Sequence, residues 1–276
     1  AYLLTLGYAN LAPLIRLLRP RSRIVIRIGN TISAELAGRS ALSRFAYLAS
    51  VKASVFVADA VVAQCEFMRN DLVSTTGIPL NKVCVIYNFV DPPSEDISVN
   101  PGPRDYIFVA ATNKPQKAFD ILLPAYAQTR RTSPRVLVVA GVSPNDLAFS
   151  ELMASCGLSD ADVIRLGFVS DVSTWIKGAS LCVLPSRYEG FSNFALEAAS
   201  FGKRLILSDC PGGNRELYGH YKNVDWVEVG DIEGLARAMT LCRLDLARSE
   251  LEEFLNFFSR PLVMSKYLDV LFTKAS

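Results

Sequence analysis

Histidine is nearly absent from this sequence of 276 residues, which contains only His220. No group of cysteine or carboxylate residues stands around it at the spacing of metal ligands. Because a zinc site and a Ser-His-Asp triad each need histidine within a defined cluster, the sequence argues against both. A G-x-G-x-x-G segment after a strand is also missing, which disfavours a nicotinamide-dependent dehydrogenase.

Cysteine pairs at CxxC spacing are lacking as well, although the chain has six cysteines. These stand at positions 65, 84, 156, 182, 210 and 242. Two of them fall inside strand-like runs, K-V-C-V-I-Y and L-C-V-L-P-S. Scattered cysteines of this kind are typical of buried free thiols in a reducing compartment, so the sequence predicts a cytoplasmic protein.

Long uninterrupted apolar runs are absent, although half of the residues are hydrophobic. The chain is too apolar for wholesale disorder and has no segment like a membrane span. The apolar opening stretch, residues 1–18, is interrupted by Asn10, Pro13 and Arg16, and no basic segment stands before it. We therefore do not interpret it as a signal peptide.

The net charge is only +2 at pH 7, which gives no footprint for a nucleic-acid partner. Residues 1–95 carry 10 Lys+Arg against 6 Asp+Glu, a net of +4, and residues 96–276 carry 19 against 21, a net of −2. Five arginines crowd one helix-to-strand junction: Arg16, Arg19, Arg21, Arg23 and Arg27. They form either a solvated basic rim or a surface that attracts the inner membrane face or a pyrophosphate-linked acceptor.

Short β-branched runs alternate with longer amphipathic stretches, which is the pattern of parallel strands joined by crossover helices. The sequence therefore predicts an α/β protein. In its first third we predict strands at 24–28, 60–64 and 83–87 and helices at 40–57 and 66–76. After a break rich in Pro, Ser and Asn at 92–103, we predict about six strands, with starts at 106, 135, 163, 181, 204 and 225. The helices predicted among and after them are 119–131, 150–156, 172–177, 193–201, 214–217, 232–244 and 260–274.

The chain divides into two domains, since 276 residues exceed the usual size of one hydrophobic core. We assign residues 1–94 to a first domain, 95–103 to a linker and 104–258 to a second domain. Residues 259–276 form a terminal helix, for which the first domain is a candidate packing surface. The first domain has too few strands for a doubly wound sheet of its own, so we expect it to be incomplete.

The segment P-S-R-Y-E-G-F-S-N-F-A-L-E, residues 185–197, contains a strand end, a glycine loop and a helix start, where parallel sheets bind ligands. Gly190 lacks a Cβ that would bar a ligand, and the free N–H groups at the helix start suit a diphosphate. Glu197 lies about 7 Å along the helix from Ser192, roughly the distance from phosphate to ribose, where a carboxylate can accept both ribose hydroxyls. Glu189 can accept hydroxyls beyond the distal phosphate. The segment therefore predicts a nucleoside diphosphate sugar as the ligand.

These two glutamates, seven residues apart in S-R-Y-E-G-F-S-N-F-A-L-E-A, resemble the donor-site signature of retaining glycosyltransferase family 4. Four other stretches follow in that family's order: A-D-A-V-V-A-Q-C-E-F-M-R at 58–69, K-V-C-V-I-Y-N-F-V-D at 82–91, L-G-F-V at 166–169 and D-C-P-G-G-N-R-E-L at 209–217. The resemblance covers nearly the whole chain. It implies the GT-B fold, in which the parallel sheets of two Rossmann-like domains face each other across a cleft.

The resemblance also implies roles for individual residues. Glu189 would hold the donor sugar and Lys117 the diphosphate, which makes these two the candidate catalytic residues. The candidate donor-binding residues are Lys114, Phe168, Val169, Gly190, Phe191, Ser192, Asn193 and Glu197. Among these, Phe168 and Val169 would contact the base, and Glu197 the ribose. Neither a metal ion nor another cofactor is expected, since the helix dipole and Lys117 would neutralise the diphosphate.

The sequence departs from the family pattern in three places. Ala111, Thr112 and Asn113 stand where an arginine is usual, so Lys114 becomes the candidate second cation. Ala118 replaces the glycine after the lysine, and G-K-R at 202–204 replaces G-x-P. Either the diphosphate is held differently or the activity is reduced. The C-P-G-G segment at 210–213 belongs to the site or is only a turn.

By this resemblance the chain would transfer sugar from a nucleotide donor, with UDP favoured over GDP, and would retain the anomeric configuration. The acceptor would be a saccharide or polyprenyl-linked saccharide of surface polysaccharide biosynthesis. No covalent nucleophile stands out, so we expect a front-face mechanism, in which the departing phosphate helps to deprotonate the acceptor. A sugar-nucleotide epimerase and a degenerate scaffold that binds nucleotide or a partner without turnover stay open as alternatives.

Overall fold

The computed structural model describes residues 1–94, 96, 102–103, 105–130, 132, 135–241 and 248–272. Two parallel sheets organise these residues, one with four strands and one with six. The predicted α/β class is therefore confirmed. Most of the predicted linker at 95–103 lies outside the described residues, as do Cys242 and the predicted ends of the helices at 131, 244 and 274.

The first sheet occupies the first third of the chain. Its strands are β1 (Tyr2–Thr5), β2 (Ile24–Arg27), β3 (Ala60–Ala63) and β4 (Val83–Val85). The helices among them are α1 (Ala12–Leu18), α2 (Ile32–Ala37), α3 (Ala41–Val57) and α4 (Glu66–Thr76). The strands pair in parallel in the order β1-β2-β3-β4. Because parallel crossovers are right-handed, α1, α3 and α4 lie on one face of this sheet.

The second sheet contains six parallel strands, the number that the sequence predicts. They are β5 (Tyr106–Ala110), β6 (Val136–Ala140), β7 (Val163–Gly167), β8 (Leu181–Leu184), β9 (Leu205–Ser208) and β10 (Val224–Val227). The helices that follow these strands are α5 (Phe119–Thr129), α6 (Leu147–Ser155), α7 (Ser173–Gly178), α8 (Asn193–Ser200), α9 (Asn214–Tyr218) and α10 (Ile232–Thr240). Side chains of β5 alternate between two buried cores, so both faces of the sheet are covered.

The strand order β10-β9-β8-β5-β6-β7 reverses direction between β5 and β8. In open parallel sheets, ligands bind in the crevice beyond the carboxyl ends of the strands at such a reversal. The loops that follow β5 and β8 contain Lys117 and Glu189, respectively. The topology therefore places Lys117 and Glu189, two predicted site residues, in the loops at this reversal.

Two helices end the described chain, α11 (Arg248–Phe257) and α12 (Arg260–Phe272). Helix α12 returns to the first sheet, where Val263 and Tyr267 are buried against Val25, Val62 and Ile86. Among the described residues, no helix combines the length and the apolar character needed to cross a membrane.

Four elements have no predicted range in the sequence-based prediction: β1, α1, α2 and α11. Strand β1 has only four residues. Its pairing with β2, rather than its own sequence, makes it a strand. Helix α6 begins at Leu147, three residues before the predicted start at 150. The Asp146 carboxylate accepts from the Phe149 amide at 3.0 Å and so caps the helix earlier than the apolar pattern indicates.

Candidate functional site

The loops after β5 and β8, residues 111–118 and 185–192, are joined by hydrogen bonds. The Arg187 amide donates to the Gln116 carbonyl at 2.8 Å, and the Gln116 side chain donates to the Tyr188 carbonyl at 2.9 Å. The Arg187 guanidinium also donates to both carboxylate oxygens of Asp120, which lowers the pKa of Asp120. The two loops are thus tied into one unit at the switch point.

The two candidate catalytic residues contact each other directly in this unit. The Lys117 Nζ lies 2.5 Å from the Glu189 Oε1, and the Ser186 hydroxyl donates to the same oxygen at 2.6 Å. Glu189 is only 4% exposed, so its charge depends on these two donors rather than on water. An ammonium has three N–H donors, so Lys117 can bind a phosphate while it remains paired with Glu189.

Gly212 and Gly213 pack against the backbone of Glu189 and Gly190, which decides between the two readings of the C-P-G-G segment. The Glu189 amide donates to the Pro211 carbonyl at 3.1 Å, and the Gly213 amide donates to the Glu189 carbonyl at 3.1 Å. A Cβ on Gly212, whose φ is +142°, would stand 1.6 Å from the Glu189 carbonyl oxygen. The segment is therefore the backbone partner of the Glu189 loop and more than a turn.

The start of α8 presents unused backbone donors. Within the described part of the chain, the amide N–H groups of Gly190, Phe191 and Asn193 form no hydrogen bond. The Ser192 hydroxyl caps the helix by accepting from the Ala195 amide at 3.2 Å. Free N–H groups at the positive end of a helix are suited to bind an anion. The Phe191 side chain is buried in the core, so only its backbone is available to a ligand.

Glu197 lies about one turn after Asn193 on α8. Both residues line a cavity of about 640 Å³ between the first sheet, α8 and α12, together with Thr5, Arg27 and Asn88. Burial raises the pKa of the Glu197 carboxyl, and the negative charge of Asp171 adds to this effect. A carboxylate with few partners in a cavity of this size is placed to accept hydroxyl groups of a ligand.

The remaining predicted residues differ in their surroundings. Phe168 is 93% exposed, while Val169 packs against the core. Lys114 is exposed and makes no ion pair with any described residue. Ala118 has a φ of +53°, and no other described non-glycine residue has a positive φ. The left-handed conformation explains why the family pattern has glycine here, because alanine costs roughly 1–2 kcal/mol in it.

Residues of the first domain also reach this site, and the sequence analysis gave them no role. The Cys65 thiol donates to the Gly190 carbonyl at 3.4 Å, and the Met68 sulfur would lie 3.0 Å from a Cβ on Gly190. Gly190 therefore allows close approach of Met68. The Asn88 side chain donates to the Asn193 side chain at 2.6 Å. Asn88 lies in the stretch K-V-C-V-I-Y-N-F-V-D at 82–91, which resembles the family. That resemblance was the one sequence signal that could have indicated a role for Asn88.

Glu216 on α9 links the two domains by binding the N-terminus of α4. Its carboxylate oxygens accept from the Glu66 amide at 2.8 and 2.9 Å, and the Tyr87 hydroxyl donates to it at 3.0 Å. The carboxylate stands at the positive end of the α4 dipole, which stabilises its charge. Helix α4 is therefore capped partly from the other domain.

The described cysteines, at positions 65, 84, 156, 182 and 210, are free thiols, as predicted, but only Cys65, Cys182 and Cys210 are also buried. Burial raises the pKa of Cys65 and of Cys210 to about 12, so both thiols near the site are neutral at physiological pH. Over the described ranges, no three His, Cys, Asp or Glu residues are grouped so that they could hold a metal ion.

Comparisons with known proteins show the family and the fold of this chain. The family model described as Glycosyl transferases group 1 matches residues 103–243, about half of the chain. An uncharacterized glycosyltransferase of Methanocaldococcus jannaschii is 28% identical over 183 residues, which are 60% of this chain and 46% of that protein. The N,N'-diacetylbacillosaminyl-diphospho-undecaprenol alpha-1,3-N-acetylgalactosaminyltransferase of Campylobacter jejuni is 24% identical over 226 residues, which are 75% of this chain and 57% of that protein. The chain thus spans about half the length of these relatives.

The structure of Anabaena HepE in complex with UDP is similar, with a TM-score of 0.79 and 18% sequence identity. The likeness covers 99% of this chain and 79% of that one, and it shows the fold. The fold is GT-B, as the resemblance in the sequence implied. The match over residues 103–243 settles the family as well: this chain belongs to the group 1 glycosyl transferases.

Proposed function

We propose that this chain binds a nucleoside diphosphate sugar at the β5/β8 switch point and transfers its sugar to an acceptor with retention of configuration. The observation that carries the proposal is the Lys117–Glu189 pair beside the unused amides at the start of α8. In our proposal the diphosphate lies between Lys117 and these amides, the ribose binds Glu197 and the sugar binds Glu189. UDP is the favoured nucleotide, in keeping with the UDP complex of Anabaena HepE.

In the proposed reaction, the bond between the anomeric carbon and the diphosphate breaks as a bond to the acceptor oxygen forms on the same face. The acceptor proton passes to the departing phosphate oxygen. Negative charge grows on the diphosphate, where the Lys117 ammonium and the amides of Gly190, Phe191 and Asn193 stabilise it. Neither thiol near the site is an ionised nucleophile, which favours this front-face route over a covalent intermediate. No metal ion is part of the proposal.

We propose a saccharide or a polyprenyl-linked saccharide as the acceptor, at the cytoplasmic face of the membrane. The name of the Campylobacter jejuni relative, which contains a diphospho-undecaprenol acceptor, supports the second class. The cavity of about 640 Å³ opens next to Glu197 and Asn193, and it has room for part of an acceptor or donor.

Calorimetric titration of this chain with UDP, GDP and ADP, without metal ions, tests the donor site. We expect UDP to bind, and we expect Glu197→Ala and Lys117→Ala each to weaken binding by about ten- to a hundredfold, because each removes a charged hydrogen-bond partner. Glu233→Ala, which removes an exposed glutamate on α10, is the matched control and should leave the affinity unchanged. If none of the three nucleotides binds, the donor-site proposal fails. Binding by a chain that never releases UDP from UDP-sugars would instead identify a scaffold without turnover.

The raised pKa of Glu197 predicts how donor binding depends on pH. The ionised carboxylate accepts the ribose hydroxyls, so affinity should fall as the pH drops through the raised pKa, at less acidic pH than for an ordinary glutamate near 4.5. The same shift makes the folded state bind this proton more tightly than the unfolded state. Glu197 therefore disfavours folding when the pH lies above the raised pKa.

Titration with a UDP-sugar between neutral and mildly acidic pH checks this prediction. A UDP-sugar is preferred to UDP because a terminal phosphate itself titrates near pH 6, about where the effect is sought. Glu197→Gln should bind more weakly at neutral pH and should show a flatter pH profile. Identical profiles for the two proteins would contradict the assignment of Glu197 to the ribose.

A further inference from the structure

Helix α3 is apolar on the side that faces away from the protein. Its buried side contains Val51 and Val55. On the opposite side, Leu42 is 80% exposed, Phe45 is 74% exposed and Phe56 is 48% exposed. The alanines at 46, 49 and 53 are exposed along the same helix. A helix at the surface of a soluble protein normally carries polar residues on its outer side. The apolar outer side of α3 is therefore typical of a surface that binds a partner.

Helix α1 extends the same apolar surface. It lies beside α3, because the Arg16 guanidinium donates to the Val57 carbonyl at 3.0 Å and, just before α1, the Asn10 side chain accepts from the Ser50 hydroxyl at 2.9 Å. Both helices lie on one face of the first sheet, so their outer sides point the same way. Three leucines of α1 are exposed: Leu14, Leu17 and Leu18. The α1–α3 face is defined here as the exposed side chains of Leu14, Leu17, Leu18, Leu42, Phe45 and Phe56.

The charges around the α1–α3 face are almost all positive. Residues 1–58 contain eight arginines and lysines but a single acidic residue, Glu35. Arg19, Arg21, Arg44 and Lys52 are exposed, and they form no ion pair with any described residue. Arg16 and Arg23, in contrast, have structural partners, since Arg16 pairs with Asp59 and Arg23 donates to the Val270 carbonyl. The crowded arginines of the sequence thus divide into structural residues and free cations.

We propose that the α1–α3 face binds the surface of an anionic lipid bilayer. The leucines and phenylalanines would enter the boundary between headgroups and acyl chains, and the four free cations would lie at the lipid phosphates. Charge complementarity favours lipid over a second copy of this chain, because the same face on a second copy is equally basic and would repel the first. The proposal concerns neither the donor nor turnover, so it stands or falls separately from the proposed function.

Sedimentation of the chain with lipid vesicles tests the proposal. We expect binding to vesicles of phosphatidylcholine mixed with phosphatidylglycerol, much weaker binding to phosphatidylcholine alone, and a loss of binding as salt is added. Arg19→Ala and Arg21→Ala should each lower the partition coefficient about fivefold. The double variant Leu42→Ser/Phe45→Ser should lower it at least about tenfold.

Two control variants carry similar changes on the second domain. Leu147→Ser replaces a leucine that is 77% exposed on α6, and Arg237→Ala removes an exposed arginine on α10. Both should partition like the wild type, and thermal unfolding checks that every variant is folded. Equal binding to the two kinds of vesicle, or equal binding of the Leu42/Phe45 variant and Leu147→Ser, overturns the proposal. A wild-type dimer that this variant converts to monomer, without vesicle binding by either, also overturns it and assigns the face to self-association.

Discussion

Lys117→Met is expected to lower the rate of sugar transfer by at least about a hundredfold, the loss typical when one donor to a developing negative charge is removed. The lysine lies 2.5 Å from Glu189, which is 4% exposed, so the substitution removes the cation from this buried carboxylate and from the proposed position of the diphosphate together. Release of UDP from a UDP-sugar, with and without acceptor, measures the effect.

Lys114→Met gives the informative comparison for this prediction. Lys114 stands three residues earlier, is exposed and has no ion-pair partner within the described residues, so water screens its charge. We expect a loss of less than about tenfold, because exposed charges contribute little. Lys222→Met, which removes an exposed lysine paired with Glu250, should have no effect. Equal losses for Lys117→Met and Lys114→Met would contradict the special position of Lys117.

Gly212→Ala is expected to disrupt the site through its backbone. The new Cβ would stand 1.6 Å from the Glu189 carbonyl oxygen, a separation that forces the loop after β8 and the C-P-G-G segment apart. The Glu189 amide would then lose its bond to Pro211, and the carboxylate its position beside Lys117. We expect the free energy of unfolding to fall by at least about 3 kcal/mol, as for other severe steric changes in a core, and UDP binding to be lost.

Gly230→Ala is the control for Gly212→Ala, because it separates the steric clash of a new Cβ from the strain of a positive φ. Gly230 also has a positive φ, +88°, but no atom lies within 4 Å of the Cβ position. We expect a cost of about 1 kcal/mol there, which is the strain of the left-handed conformation alone. Urea unfolding followed by fluorescence of Trp175 and Trp226, the two tryptophans of the chain, measures both variants. Similar stabilities of the two variants would show that the segment can move without cost.

The sheets could be predicted because parallel strands that are buried on both faces are short β-branched runs bounded by turns. Strand β1 escaped prediction since nothing in Y-L-L-T distinguishes a strand from the start of an apolar helix until β2 stands beside it. Helix α11 was missed although Leu251, Phe254 and Leu255 stand at helical spacing, and Phe254 and Leu255 pack in the core of the second sheet. Pairing with β2, which the local sequence does not contain, decided β1.

The candidate site shows the same division. Glu189, Glu197 and Lys117 could be named from local patterns, but the contact between Lys117 and Glu189 joins residues 72 positions apart. That contact exists because β5 and β8 are neighbours in the sheet, a property of topology. The role of Gly212 depends in the same way on the backbone of another loop. Residue types at a site can therefore be read locally, whereas their partners require the fold.

The contact between Glu216 and α4 connects the state of the cleft with the state of one helix. The first amides of α4, at Glu66 and Phe67, have the Glu216 carboxylate of the second domain as their acceptor. If the domains separated, these amides would lose that acceptor, and the first turn of α4 would lose part of its cap. Fraying of this turn would release Met68, which packs on Gly190. Opening of the cleft would thus be coupled to local melting of α4, and hydrogen exchange at Glu66 would record how often the cleft opens.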